Sequence, residues 1–94
     1  MDGKFTVESG RMVGSYKERS FTYEVLQIEK ENGETINEDE KENINEGDLR
    51  EADKIMFKVT GSDDDEYYRW IGGPFPDEEG LEDAITDWVI YGTP

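Results

Sequence analysis

The chain contains no cysteine and no histidine. Without thiols there is no disulfide framework and no thiolate metal site, and nothing points to an oxidising compartment. Without imidazole the chain lacks the commonest general base, the commonest nitrogen ligand for metals and the usual charge switch near neutral pH. Basic side chains are scarce, 10 against 25 acids, and the apolar fraction is only 33%. No apolar run approaches the roughly 18 residues of a membrane span. The opening MDGKFTVES lacks the basic start and apolar stretch of a secretory signal. A soluble, cytoplasmic protein is the expectation.

Against these shortages stand 94 residues, enough for one domain over 1–94, and an aromatic fraction of 12% that supplies a small core with large side chains. The formal net charge of −15 far exceeds the magnitude of about 2–8 that keeps a small domain soluble. It is also regional. Residues 1–28 are neutral, residues 29–54 carry −7, residues 55–60 carry +1, and residues 61–91 carry −9.

The segment with the firmest periodicity is Asp77 to Tyr91. Leu81, Ala84, Ile85, Trp88 and Val89 recur at the spacing of one helical face, and Asp77 is placed to cap it. Phe75 and Pro76 precede the cap and can staple onto Leu81, while Gly92 and Pro94 end the helix. Earlier segments alternate as strands do: Lys4 to Glu8 with Phe5 and Val7 inward, Phe21 to Glu31, and Lys54 to Thr60 with Ile55, Phe57 and Val59 inward. In the second, Phe21, Tyr23 and Val25 share one parity and Leu26 and Ile28 the other, which predicts a bulge or a doubly covered stretch.

Arg11 to Val13, between Gly10 and Gly14, reads as a short strand or a turn. Asn32-Gly33 predicts a type I′ hairpin turn with Glu34 to Ile36 returning antiparallel. Residues 37–47 read as a solvated loop, and Asp48 as the cap of a short helix through Asp53. Tyr67 to Ile71 reads as a returning strand after the Gly61 to Glu66 connection, with Tyr68 and Trp70 inward. The sum is an α+β fold: a twisted antiparallel sheet of four or five strands with one C-terminal helix packed across one face.

No catalytic motif is present. The serines have no histidine partner, Gly72-Gly73 lacks a phosphate-binding context, and with 25 acids a carboxylate pair arises by chance. An enzyme is not expected, nor is a cofactor. The run Asp63, Asp64, Asp65, Glu66 offers hard oxygens, but an EF-hand loop needs alternate acids, a glycine at its sixth place and a glutamate at its twelfth, where this run has Pro74. NINEGD, at 43–48, has its glycine one place early. No metal site is expected. Tyr67, Tyr68, Trp70 and Trp88 could stack bases, yet the surrounding acids repel phosphate, which excludes direct nucleic-acid binding.

Candidate contact residues are therefore acidic. Asp63, Asp64, Asp65 and Glu66 sit at a hairpin tip. Glu79, Asp83 and Asp87 form a row along the outer helix face, with Glu82 beside it. Like charges four residues apart cost about 0.2–0.5 kcal/mol per pair, and only the first turn gains from the helix dipole. Such a field attracts basic proteins and competes with phosphates for their Lys and Arg side chains.

In charge and size the chain resembles small phage DNA-mimic inhibitors, the anti-restriction and anti-CRISPR proteins, a resemblance that carries over no individual residue. It implies an inhibitor or regulator that blocks the basic groove of a nucleic-acid-binding enzyme or complex. The alternative is a halophilic or accessory interaction domain whose acids serve solubility, and the regional charge and six Lys to four Arg argue against it. Neither a monomer nor a homodimer is implied.

Overall fold

The computed structural model describes residues 2–7, 19–61 and 64–91. The Arg11 to Val13 segment, Asp63, and Gly92 and Pro94 lie outside them. The described residues form a twisted antiparallel sheet of five strands with a C-terminal helix, an α+β fold. The strands are β1 (Asp2–Val7), β2 (Arg19–Lys30), β3 (Thr35–Ile36), β4 (Ala52–Gly61) and β5 (Glu66–Gly72). A 3-10 turn (Glu38–Asn43) and α1 (Glu46–Arg50) connect β3 to β4, and α2 (Glu78–Tyr91) closes the fold.

Strand order is β1-β2-β4-β5, and β3 pairs with the far half of β2. Because β4 lies along one side of β2, β1 and β3 share the other side end to end. The register shifts between Val25 and Gln27 opposite Phe57 and Met56. Leu26 is thus the extra residue of a bulge, the feature that the parity switch predicts. Past the bulge Ile28 regains the face of Val25, so one strand feeds the core on both sides of the irregularity. Leu26 is itself buried but lies outside the main core cluster.

That cluster joins Phe5 and Val7 of β1, Phe21, Tyr23, Val25 and Ile28 of β2, and Ile55, Phe57 and Val59 of β4 to Leu81, Ile85, Trp88 and Val89 of α2. Phe5 stacks on Phe21 with centroids 5.7 Å apart, and Trp88 meets Phe57 edge-on at 5.4 Å and 80°. Such pairs contribute about 0.5–1.5 kcal/mol beyond the area they bury. Asp77 caps α2 through its carboxylate, which accepts from Gly80 N–H at 2.8 Å. Phe75, ahead of that cap, packs against the same core.

Three local expectations are corrected. The Asn32-Gly33 turn is not type I′. Only Gly33 has positive φ, at 93°. Gly33 N–H donates to Lys30 C=O and Lys30 N–H to Glu34 C=O, a three-residue loop whose left-handed position falls to glycine. The short helix begins earlier than Asp48: Asn45 is its cap, and Asp48 is the third helical residue, returning a bond to the Asn45 N–H at 3.0 Å. It ends at Arg50, and Ala52 already belongs to β4.

Third, β5 presents the opposite parity to the one expected. Tyr68 is 55% exposed and Trp70 38%, while Ile71 is buried and Tyr67 packs against the core. Arg69 shares this inward parity. Its guanidinium lies 5.6 Å from the Trp88 ring centroid, so a charged side chain takes an inward position by resting on an aromatic face. Its Nε is buried and has no hydrogen-bond partner among the described residues.

Tyr23 ties the sheet to the helix. Its hydroxyl donates to the Glu78 carboxylate at 2.8 Å. Burial first, and this bond second, hold the phenol far above its ordinary range. The unfolded phenol ionises near about pH 10, whereas the native one keeps its proton. The stabilisation is therefore fully present below that pH and is lost as pH rises above it. Tyr23→Phe should cost about 1.5–3 kcal/mol at pH 7, as for a hydrogen bond to a charged group. The gap between the two proteins should then narrow above about pH 10. Urea unfolding at several pH values measures this, and a gap that stays constant would remove Tyr23 from the account.

Candidate functional site

The two faces of the molecule differ in how their charges are satisfied. On the open face of the sheet, rungs of the ladder place Glu24 beside Lys58 and Glu29 beside Lys54. Lys58 bridges Glu66 at 3.2 Å and Glu24 at 3.8 Å, Lys54 bridges Glu29 at 3.2 Å, and Lys41 reaches Glu24 at 3.2 Å. The bond to Glu66 raises the Lys58 pKa. A shallow depression of about 570 Å³ on this face is lined by Asp2, Lys4, Thr22, Glu24, Lys58 and Thr60 among others. It is a surface of mixed, paired charge.

Near α1, Lys30 is held between Glu51 at 2.9 Å and Asp48 at 3.0 Å, with Glu34 at 3.9 Å. Those bonds, Glu51 first, raise its pKa. Arg50 Nε donates to Pro76 C=O at 3.0 Å. With Arg69 against Trp88, most of the described cations are thus committed to the sheet, to α1 or to the turn into α2.

The helix is different. Among the described residues no ion pair includes an α2 carboxylate. Glu79, Asp83 and Asp87 are exposed along its outer face, and Glu82 is half-buried beside them. Glu78 is used internally, by Tyr23, and its N–H donates to the Glu46 carboxylate at 2.9 Å. The row predicted from the 3.6-residue period is therefore in place, and it has no counter-ion among the described residues.

At the hairpin tip Asp64, Asp65 and Glu66 are exposed, and Asp63 lies outside the described residues. Asp64 has positive φ, 65°, a conformation that Asp tolerates better than most side chains. Glu66 is a member of the run with a counter-ion, since Lys58 of the neighbouring strand pairs with it. Linear sequence could not show this cation, because it comes from across the ladder. The helix row and the tip are built on separate elements.

No protein-family model, curated protein or solved structure matches the chain.

The exposed carboxylates at these positions offer negative charge and hydrogen-bond acceptors. Among the described residues no group of three or more Asp or Glu side chains is arranged to hold a metal ion. No helix among the described residues is long and apolar enough to cross a membrane. Tyr68 and Trp70, missed as surface residues in the sequence, add exposed aromatic area on the open sheet face, with Lys54 Nζ 5.0 Å above the Trp70 ring. The signal that could have revealed them is Ile71, the one aliphatic residue of the strand, which claims the core for odd-numbered positions.

Proposed function

We propose that the protein is a small acidic inhibitor or regulator that acts in the cytoplasm by occupying the basic nucleic-acid-binding groove of a protein partner, as a nucleic-acid mimic. One observation carries this reading. Glu79, Asp83 and Asp87 are exposed in single file and take part in no ion pair among the described residues.

Of the row, only Glu79, in the first turn, gains from the helix dipole; Asp83 and Asp87 do not serve the helix. The row's two like-charge pairs, Glu79 with Asp83 and Asp83 with Asp87, each oppose helix formation by about 0.2–0.5 kcal/mol. Its spacing of about 6 Å per step, from the 1.5 Å rise, presents carboxylates in series to Lys and Arg side chains that otherwise hold phosphates. The exposed tip, with Asp63, Asp64, Asp65 and Glu66, is the second acidic contact in this reading. Direct binding of nucleic acid, a membrane or a metal has no part in it, and no catalysis is assigned.

The test separates binding from stability. The triple variant Glu79→Gln, Asp83→Gln, Asp87→Gln removes both repulsive pairs and also the first-turn charge that the helix N-terminus favours, two effects of similar size, so its unfolding midpoint should change little. Its affinity for the basic partner should fall about tenfold or more, which corresponds to about 1.4 kcal/mol. DNA or RNA should compete with the native protein. A variant that binds as tightly as the native chain would eliminate the helix row as the contact.

A further inference from the structure

Among the described residues strand β5 is an edge. It pairs there with β4 alone, in unbroken register from Thr60 opposite Glu66 to Lys54 opposite Gly72. Of the devices that protect an edge it has one inward-pointing charge, Arg69, but no proline and no bulge. The direction of its unpaired groups follows from the bonds that bracket the ladder: Gly61 N–H donates to Asp65 C=O, and Gly73 N–H to Asp53 C=O. Antiparallel bonding alternates, so Tyr67, Arg69 and Ile71 bond to β4. The N–H and C=O groups of Glu66, Tyr68, Trp70 and Gly72 then point away from the sheet. The two β5 residues with exposed aromatic rings, Tyr68 and Trp70, are also among those that offer backbone bonds to an incoming strand.

We propose that this edge receives an extended segment bearing Lys or Arg from the basic partner, as an added strand beside β5. The inference rests on the reading that the partner is basic and assigns where part of it lies. Charge complementarity supports this occupant. Exposed Asp64, Asp65 and Glu66 stand at one end of the edge and exposed Asp53 at the other. Nearby Lys54 is already engaged with Glu29 and Trp70, and Arg69 with Trp88.

A side chain opposite Tyr68 or Trp70 would lie on the same face, about 5 Å away. A Lys or Arg there would rest against an exposed ring as Lys54 does at 5.0 Å. A second copy of the chain fits less well. It would bring together two chains of −15 each, and the register that sets Tyr68 beside the second Trp70 sets Arg69 opposite Arg69.

An alternating Lys-Val peptide as long as β5 is the probe, with a peptide of the same composition in two blocks as control. On adding the alternating peptide to the full chain at low salt, amide exchange at Tyr68 and Trp70 should slow at least about tenfold. Tyr67, Arg69 and Ile71, already bonded to β4, should change little. The block peptide should produce no such protection. Tyr68→Pro removes an outward N–H and should abolish the protection at Trp70. If that variant does not fold, Tyr68→Ser with Trp70→Ser should weaken the peptide about tenfold with the β4 bonds intact.

Binding without new protection at Tyr68 and Trp70, equal affinity for the block peptide, no binding at all, or self-association through the edge would each overturn the added strand. The glutamine variant of α2 tells the two readings apart. If it loses the partner while the edge gains no protection, only the added strand fails. If it keeps the partner, the reading of the acidic row fails whatever the edge does.

Discussion

Trp88→Ala should lower the stability of the protein by about 3–5 kcal/mol, the range for removing a large buried aromatic side chain. The reason lies in what the ring touches. Trp88 is buried on α2, meets Phe57 of the central strand β4 edge-on, and receives the Arg69 guanidinium on its face. Deleting it opens a cavity beneath the helix. It also leaves Arg69, whose Nε has no hydrogen-bond partner among the described residues, inward-facing without its aromatic neighbour. An uncompensated charge of that kind adds to the cost of the cavity.

Set against a typical total of about 5–15 kcal/mol for a domain, the loss would unfold a large share of the molecules or bring them near it. Trp88→Phe should recover much of the stability, because it keeps an aromatic edge toward Phe57 and a ring face for Arg69. Urea midpoints at unchanged m value measure both variants. A loss within about 0.5 kcal/mol, as for a surface substitution, would mean that α2 is not seated on β4 through this residue.

Gly3→Ala should also destabilise the fold, by overpacking and not by a cavity. A Cβ at Gly3 would overlap the Tyr23 ring at its Cε1, Cζ and hydroxyl atoms. Gly3 lies directly opposite Tyr23 in the β1-β2 ladder. That ring is buried and held at its far end by Glu78. It cannot swing away without giving up the bond, so the added methyl must push β1 from β2 or break the tie to α2. Overpacking of this kind costs about 1–3 kcal/mol.

The diagnosis can be checked by a double-mutant cycle with Tyr23→Leu, which removes the ring that the methyl strikes. Gly3→Ala should be far milder in that background, with a coupling of about 0.5–3 kcal/mol. An effect of the same size in both backgrounds would point to strand propensity instead of the clash.

Much of this framework is legible in the sequence because it depends on short-range pattern. The α2 stripe, the Asp77 cap and the inward Ile55, Phe57 and Val59 follow from period and spacing. The bulge at Leu26 follows from a switch of parity within one strand. What escaped notice depends on partners distant in sequence. Arg69 reads as a surface residue until Trp88 is placed beneath it, and that contact lets a charged side chain share the inward face with Tyr67 and Ile71 while Tyr68 and Trp70 are exposed.

The Asn32-Gly33 dipeptide fits two turn types, and the choice between them is made by where the strands pair. Asn45 was overlooked as a cap because Asp48 suggests the same role. It is the reciprocal pair, each side chain bonding the other's N–H, that sets the start of α1. Among the candidate contacts the exposed row on α2 was readable from helical spacing alone. The pairing of Glu66 with Lys58 was not, since only the β4-β5 register brings them together.

The central claim is that the acidic face of α2 binds a basic, nucleic-acid-binding protein. Its most direct test is capture from a lysate of the source cells by the native chain and by the Glu79→Gln, Asp83→Gln, Asp87→Gln variant, with the retained proteins identified. The native chain should retain a basic nucleic-acid-binding protein at about 0.1 M salt and release it at about 1 M, where the Debye length falls from about 10 to about 3 Å. DNA should displace it, and the variant should retain little of it. The claim would be contradicted if both chains retained the same proteins, or if what the native chain retains resisted both salt and DNA.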